Sequence, residues 1–153
     1  MLIKQLPITV RASHKSDVRT QFAALCFRIA KNKPQVLLVT SRGTGRWIIP
    51  KGWPMHGKTP AHCAEREAWE EAGVIGKAAD QALGLFSYNK VLDGSGLPCV
   101  AIVYPVRVKS LAPDYPEKNQ RRRKWFSPAK AANRVSEPEL ARILRDFDPK
   151  MIR

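Results

Sequence analysis

The sequence predicts an α/β fold, specifically an α/β/α sandwich in which helices cover both faces of a mixed β-sheet. The first observation is the order of elements along the chain: strands, one long helix, further strands, then two short helices. The second is that the long helix carries small residues spaced by three or four, so that one of its faces can pack closely on a sheet. These residues are Ala61, Ala64, Ala68 and Ala72.

The length of 153 residues fits one domain with a core of its own. We place that domain at residues 18–153. Residues 1–17 mix polar, basic and small side chains, and we expect this segment to be flexible. It lacks the continuous apolar stretch of a secretory signal, and no apolar run in the chain is long enough to span a bilayer.

Three strands are expected before the long helix. Residues 18–30 run apolar, and residues 35–40 are apolar and rich in β-branched side chains. We therefore predict a hairpin with its turn at residues 31–34. Residues 41–46 contain two glycines and form a loop. Residues 47–49 form a third, short strand.

One helix is predicted from Pro60 to about Ala72, after a loop at residues 51–58. Thr59 suits the N-cap because its hydroxyl can accept a hydrogen bond from a free backbone amide, and proline suits the first helical position. Gly73 is placed to end the helix, since glycine readily takes the left-handed conformation found after helix C-termini.

The second half of the chain predicts two strands joined by a turn. They are residues 82–90 and 97–108, with the turn at residues 93–96. The pair Tyr104-Pro105 inside the second strand indicates an edge position or a bulge, because proline cannot donate a hydrogen bond to a neighbouring strand.

The C-terminal part begins with a basic strand at residues 120–126. Serine and proline pairs then predict two short helices. The first begins after Ser127, and the second begins after Ser136 and runs to about residue 147.

The stretch from Gly52 to Val74 is the most informative part of the chain. It places three carboxylates, Glu67, Glu70 and Glu71, at spacings of i, i+3 and i+4, so that on a helix they project from one face. Like charges stacked in this way repel, and a divalent cation removes the repulsion because it prefers oxygen ligands. The segment therefore predicts a metal-binding helix, with Mg²⁺ expected and Mn²⁺ as an alternative. The other interpretation is an ordinary amphipathic helix with an acidic surface stripe.

The same stretch resembles the Nudix box, in which a glycine, five residues, a glutamate and seven residues precede Arg-Glu-apolar-any-Glu-Glu-any-Gly-apolar. The matching residues are Gly52, Arg66, Glu67, Ala68, Glu70, Glu71, Gly73 and Val74. Six of them, all except the apolar Ala68 and Val74, are of a required residue type, and six such matches arise by chance with odds on the order of one in ten thousand or less. One position departs from the pattern, because the first glutamate of the box is replaced by Lys58. A lysine cannot bind a cation, so it either contacts a substrate phosphate or marks weakened catalysis.

The resemblance implies the Nudix fold and an enzyme that hydrolyses a diphosphate linkage, typically in a nucleoside diphosphate joined to another group. Such a linkage carries several negative charges that repel water, and a metal ion neutralises them and makes bound water more acidic. The metal ligands implied are Glu67, Glu70, Glu71, Gly52 and the backbone carbonyl of Lys51. The catalytic group implied is Glu67 and Glu70, with Arg66 orienting the glutamates by pairing with one of them across a turn.

The general base has two sources within this resemblance. It is either a glutamate of the box or an acidic residue on the later loop, where Asp114 and Glu117 are the candidates. A solvated loop charge is the alternative interpretation for either residue.

Basic residues around the box predict contacts to phosphate. The sequence Pro-Lys-Gly that leads into the box, and the basic run that ends in Trp125-Phe126, resemble the diphosphoinositol polyphosphate phosphohydrolases and the dinucleoside polyphosphate hydrolases. In a strand, only Arg121 with Arg123, or Arg122 with Lys124, can face the site. The substrate-binding candidates are Arg42, Arg46, Lys51, Lys58, Arg121 and Arg123.

The net charge of +14 favours a polyanionic partner. We expect a phosphorylated small-molecule substrate, with nucleic acid as a second possibility and no membrane; no feature sets an oligomeric state. The three cysteines, Cys26, Cys63 and Cys99, show no paired or zinc-binding spacing, so buried free thiols and a cytoplasmic location are expected.

Three functional hypotheses follow. The first is a Mg²⁺-dependent hydrolase of a densely phosphorylated small molecule, such as a dinucleoside polyphosphate or an inositol pyrophosphate. The second is a hydrolase of the 5′ end of RNA, based on the charge and on Trp125. The third is a non-catalytic polyanion-binding module on the same fold, motivated by Lys58.

Overall fold

The computed structural model describes residues 5–8, 18–90 and 96–152. The expected flexible segment at residues 1–17 lies outside the described residues except for residues 5–8. The predicted turn at residues 93–96 also lies outside them except for Gly96.

Within the described residues, eight strands form one sheet. The strands are β1 (Arg19–Ala30), β2 (Lys33–Thr40), β3 (Trp47–Ile48), β4 (Lys51–Gly52), β5 (Val74–Ala78), β6 (Gly84–Lys90), β7 (Leu97–Leu111) and β8 (Arg123–Phe126). The order across the sheet is β3-β2-β1-β7-β5, with β4 paired to β1, β6 to β7 and β8 to β2. Strands β1 and β7 are parallel, and the other pairs are antiparallel. The predicted mixed sheet is confirmed.

The predicted hairpin between β1 and β2 is confirmed, with a tighter turn than expected. Ala30 pairs with Lys33, so only Lys31 and Asn32 form the turn. Their φ angles are 53° and 65°. Positive φ at both central residues is the requirement of a two-residue hairpin turn whose twist matches that of the strands.

The long helix, α1 (Pro60–Ala72), begins and ends as predicted. The Thr59 hydroxyl accepts a hydrogen bond from the backbone amide of His62 at 3.2 Å. Gly73 is left-handed, with φ of 67°, and its backbone amide donates to carbonyls of the last helical turn.

Two short helices follow the sheet, α2 (Pro128–Arg134) and α3 (Pro138–Arg145). Ser127 caps α2 through its side chain, as expected. The N-cap of α3 is Glu137 rather than Ser136, and the helix ends two residues before the predicted limit at 147. One 3₁₀ turn, Pro149–Met151, closes the described chain.

The two faces of the sheet hold separate apolar clusters, which confirms the sandwich. Along β1, Phe22, Ala24 and Cys26 pack toward α1. The alternate residues Ala23, Leu25 and Phe27 belong to the cluster that includes residues of α2 and α3. This division follows from the period of two in a strand, which sends successive side chains to opposite faces.

Of the two alternatives for Tyr104-Pro105, an edge position or a bulge, the edge position was wrong. Strand β7 is central, with β1 on one side and both β5 and β6 on the other. Pro105 is tolerated because it falls between the segment that pairs with β6, which ends at Val103, and the segment that pairs with β5, which begins at Val106. The missing amide of the proline therefore leaves no pairing strand unsatisfied there.

Strand β5 was not predicted from the sequence, and it contains the irregularity that was expected elsewhere. Its pairing with β7 shifts between Ile75 and Gly76. A Cβ at Gly76 would collide with the backbone carbonyl of Arg107, so glycine permits the close approach.

Among the helices of the described residues, none is both long enough and apolar enough to cross a membrane.

Candidate metal and diphosphate site

Two carboxylates on α1 lie buried side by side. Glu67 is 8% exposed and Glu71 is 6% exposed. Burial raises the pKa of Glu67 to about 8, with further contributions from the charges of Glu71, Glu70 and Glu117. Burial likewise raises the pKa of Glu71 to about 7, although the positive charges of Arg121 and Lys51 oppose the shift. Both directions show that the protein environment disfavours negative charge at this pair.

The backbone of β4 packs directly against this pair. Gly52 pairs with Phe22 of β1 and faces α1, so that a Cβ at position 52 would overlap the carboxylate of Glu67. Only glycine permits this approach. The structure thus places the Lys51–Gly52 backbone beside the carboxylates, where the sequence predicted a backbone contribution to a metal site.

The arrangement fits a divalent cation. The Oε1 atom of Glu71 is buried and has no hydrogen-bond partner among the described residues. Its Oε2 atom lies 3.6 Å from Nη2 of Arg121. A buried acceptor without a partner is costly, and two buried carboxylates repel, so a hard cation bound by oxygen atoms would relieve both effects. The ligands that the site offers to such an ion are Glu67, Glu71 and the neighbouring β4 backbone.

The third box glutamate is oriented away from this pair, which corrects the expectation of three convergent carboxylates. Arg66 Nε donates to Glu70 Oε1 at 2.9 Å, one helical turn away, and both side chains are partly exposed. The part of the chain that the structure describes holds no group of three His, Cys, Asp or Glu side chains placed to hold a metal ion. The pairing predicted for Arg66 is present, and it directs Glu70 outward.

Glu117, on the loop after β7, completes the acidic surroundings of the site. Its backbone amide donates to the carbonyl of Glu70 at 3.0 Å. Its side chain accepts a hydrogen bond from Arg121 Nε at 2.9 Å. The other loop candidate, Asp114, is exposed. Only one of the two acidic residues named as alternative bases is therefore brought to the box.

Arg121 lies in the site but is held by protein partners. Its side chain is 8% exposed. Beyond Glu117 and Glu71, it donates from Nη1 to the carbonyl of Thr40 at 3.1 Å. The guanidinium thus joins α1, β2 and the loop after β7, and it neutralises part of the buried negative charge.

Three other predicted phosphate ligands are engaged away from the carboxylates. Arg123 donates to the carbonyl of Ala72 at 2.8 Å, at the C-terminus of α1. Arg46 pairs with Glu137 at 3.3 Å. Lys58 is exposed in the loop before α1, and its backbone carbonyl accepts from Ile8 at 2.8 Å.

Arg42 and Lys51 remain nearer the site. Arg42 Nε lies 3.9 Å from Glu117 Oε1, and the arginine side chain is exposed. Lys51 Nζ lies 5.0 Å from the centre of the Tyr88 ring. Burial lowers the pKa of Lys51, while the charges of Glu71 and Glu137 act in the opposite direction. The lysine side chain therefore lies against Tyr88, and its positive charge still acts on Glu71.

Sequence reasoning missed the residues that hold Lys51 and Arg121. Tyr88, whose hydroxyl donates to Gln21, lies under the lysine, and Thr40 anchors the arginine. These residues are distant in sequence and meet only through strand pairing, so no local spacing could have shown them. Glu65 also makes such a contact, because it accepts from the Ala78 amide at 2.9 Å and ties α1 to β5.

A comparison with protein families decides the assignment. The family model of the NUDIX domain matches residues 19–147.

The chain belongs to the Nudix family.

The relatives of this Nudix protein include human diphosphoinositol polyphosphate phosphohydrolase 3-beta, which is 32% identical over 126 residues, 81% of this chain and 73% of the relative. Mitochondrial Nudix hydrolase 12 of Arabidopsis thaliana is 30% identical over 120 residues, 76% of this chain and 59% of the relative. Family membership confirms the predicted enzyme class, a Nudix pyrophosphohydrolase.

Solved structures share the fold. The Ap4A hydrolase of C. elegans superimposes with a TM-score of 0.62 at 18% identity, covering 88% of this chain and 99% of that one. The NUDIX domain of Shewanella oneidensis NrtR, in complex with ADP ribose, gives a TM-score of 0.63 at 17% identity, covering 86% and 88%. Both likenesses confirm the predicted Nudix fold.

The three cysteines are buried and free, as expected.

Proposed function

We propose that this Nudix protein hydrolyses a diphosphate linkage in a densely phosphorylated small molecule, with Mg²⁺ as its cofactor. Dinucleoside polyphosphates and inositol pyrophosphates are the leading substrates. The observation that carries the proposal is the buried pair Glu67 and Glu71, whose repulsion and unpartnered oxygen are relieved by a bound cation. Mn²⁺ is the alternative ion, because it also prefers oxygen ligands.

When bound, the metal ion supplies charge neutralisation at the diphosphate and lowers the pKa of a coordinated water. The residues that would hold it are Glu67, Glu71 and the backbone of Lys51 and Gly52. Glu70 would be a further ligand if its side chain left Arg66. The ion pair lost in that change is partly exposed and therefore of modest strength.

The remaining roles belong to groups near the carboxylate pair. Glu117 accepts the proton from the attacking water, because it is the loop acid that reaches the box. Lys51 and Arg42 bind phosphate oxygens, since their charges lie near the site. Arg121 holds Glu71 and Glu117 in place.

The substrate class has two supports. Several relatives carry the name diphosphoinositol polyphosphate phosphohydrolase, and an Ap4A hydrolase shares the fold. The net charge of +14 suits a substrate with many phosphates. We also infer a cytoplasmic location, which the buried free thiols support.

The test is hydrolysis of a panel of inositol pyrophosphates and dinucleoside polyphosphates with Mg²⁺, followed by phosphate and nucleotide release. Glu71→Gln should lower kcat by about a hundredfold or more, because it weakens the binding of the metal. Asp146→Asn is the matched control, since Asp146 is exposed at the end of α3. No product from any substrate with the wild-type protein would overturn the proposal.

The choice of general base has its own test. Glu117→Gln should lower kcat by about a hundredfold or more, whereas Asp114→Asn should leave it near the wild-type value. The reverse result would assign the base to Asp114. If both variants keep the wild-type kcat, the general base would be a glutamate of α1.

A further inference from the structure

A basic strip runs along strand β8 on the side of the sheet opposite to the carboxylates. We define it by four exposed cations from β8, its lead-in and α2: Arg122, Lys124, Lys130 and Arg134. Two cavities lie along the strip. One, of about 300 Å³, is lined in part by Lys124, Lys130 and Arg134. The other, of about 170 Å³, is lined by Trp47, Arg122, Lys124 and also Arg123, whose guanidinium reaches the Ala72 carbonyl.

The strip carries positive charge that the protein does not neutralise. Residues 118–136 contain seven Lys or Arg and no Asp or Glu, and residues 18–64 also contain no acid. No acidic residue lines either cavity. None of the ion pairs in the described part of the chain involves a cation of the strip, whereas those pairs do occupy Arg42, Arg46, Arg66 and Arg121.

Aromatic rings underlie three of these cations. The Arg122 guanidinium lies 5.6 Å from the centre of the Trp47 ring. Lys124 and Arg134 lie 5.5 and 5.6 Å from the centre of the Phe126 ring. Such contacts hold long side chains against the surface, so their charges stay at fixed positions and lose less freedom when an anion binds.

The strip is separate from the catalytic machinery. Arg121 and Arg123 contact Glu71 and the Ala72 carbonyl on the face that α1 covers. Arg122 and Lys124 alternate with them and lie over Trp47 and Phe126, on the other face. An occupant of the strip therefore needs neither the carboxylate pair nor a metal ion.

Protection of an exposed edge explains part of this pattern, because β8 pairs only with β2 and charged side chains discourage edge-to-edge association. It does not explain why α2 adds two further cations, Lys130 and Arg134, around the larger cavity. The four residues of β8 span about 13 Å at 3.3 Å per residue, so the cations form a track rather than one convergent pocket. A track of cations beside aromatic rings matches a chain of phosphates with unpaired bases.

We propose that the basic strip binds single-stranded nucleic acid, with phosphates on its cations and bases against Trp47 and the part of Trp125 that lines the larger cavity. This inference goes beyond the proposed hydrolysis and does not depend on it. The partner lies outside the carboxylate site, and its recognition is driven by charge and stacking rather than by base sequence.

The test measures fluorescence anisotropy of a labelled oligouridylate of about ten nucleotides with a 5′ hydroxyl, which offers no diphosphate to hydrolyse. EDTA is present, and salt is varied from about 50 to 200 mM. Wild-type protein should bind with a steep salt dependence. The triple variant Lys124→Gln/Lys130→Gln/Arg134→Gln should bind at least about tenfold more weakly, with a log–log salt slope that is smaller by about two.

The matched control removes the same charge elsewhere, through Lys77→Gln/Lys109→Gln/Lys150→Gln, at exposed positions outside the strip. It should retain most of the affinity. Equal losses in the two triple variants would show that net charge alone drives binding and would overturn the proposal, as would absence of binding at the lowest salt. Binding only to vesicles of anionic lipid would also overturn it, in favour of a membrane surface.

Folding and catalysis are checked in the same variants. Both triple variants should keep the wild-type thermal midpoint and the wild-type hydrolysis of the small-molecule panel. If hydrolysis is absent from wild type while the oligonucleotide binds to the strip, the proposed function fails and this inference stands. If hydrolysis is present and the oligonucleotide does not bind, the inference alone fails.

Discussion

At the scale of single residues, the site depends on two buried carboxylates that the fold holds in an unfavourable state. Glu67 and Glu71 lie one helical turn apart, nearly without solvent. Burial stabilises the protonated form of an acid, which is why both pKa values are raised. Glu71 is the better compensated of the two, because Arg121 and Lys51 lie near it. The buried pair therefore lowers the stability of the protein, and the proposed cation would offset that cost.

A pH dependence of stability follows for the protein in EDTA. A glutamate that titrates at 4.5 in the unfolded chain and near 8 when folded holds its proton only in the folded state between those values. The unfolded state then binds fewer protons, so stability falls as pH rises from about 4.5 to 8. Thermal midpoints measured from pH 5 to 8 should decline for wild type. Glu67→Gln should decline less and be more stable than wild type at pH 8; a variant less stable than wild type there would contradict this account.

Gly52 sets a steric condition on the same pair. Gly52→Ala should lower activity by about tenfold or more and cost about 1–3 kcal/mol, because its Cβ overlaps the Glu67 carboxylate. Gly84→Ala is the matched control. Its new Cβ meets only the tip of Ile143, at 3.1 Å, and that side chain can move. Chemical denaturation and kcat measure both effects, and equal losses in the two variants would refute the steric argument.

At the scale of elements, the lead-in to β8 secures α1 against the sheet. Arg121 reaches Glu71 from one side, and Arg123 donates to the carbonyl of Ala72 at the C-terminus of α1. A cation at that end is favourable because the last carbonyls of a helix are unpaired and carry partial negative charge. The basic run therefore alternates as predicted, and Arg121 and Arg123 are the pair that faces α1 and holds it in place.

The two arginines should differ in their contribution to stability. Arg121→Met leaves the buried Glu71 and the half-buried Glu117 without the guanidinium that they share and should cost about 3–5 kcal/mol at pH 8. Arg123→Met removes one hydrogen bond to a backbone carbonyl and should cost about 1 kcal/mol. Adding Glu71→Gln to Arg121→Met should restore part of the loss. Urea unfolding measures all three, and additive losses in the double variant would disprove the coupling.

At the scale of the whole molecule, the sheet separates the two proposed sites into two layers. The α1 layer holds the carboxylates, whereas the layer with α2 and α3 holds Lys124, Lys130 and the second apolar cluster. Strand β1 contributes to both clusters through alternate residues. We therefore expect the two layers to unfold as one unit.

Leu144→Ala tests this coupling across the sheet. Leu144 is fully buried between α3 and the sheet, far from the box in sequence, and its truncation should cost about 2–5 kcal/mol. Enzymatic activity and the helical circular dichroism signal should be lost in the same thermal transition. The control is Ile143→Val, at a half-buried position of α3. It is preferred to Ala141→Gly, because glycine would also lower the helix propensity. Loss of activity well before loss of helix signal would show that the layers unfold separately.

The sequence by itself determined the parts of this protein that obey local rules. The box spacing, the Thr59 and Gly73 helix ends and the alternation of β1 each follow from periods and conformations that a short segment sets. The tertiary structure alone decided the parts that depend on distant neighbours. Strand β5, the central position of β7 and the outward turn of Glu70 arise from such contacts, as do the partners of Arg121. Pairing and burial are properties of residues brought together across the chain, and no window of sequence contains both members of such a pair.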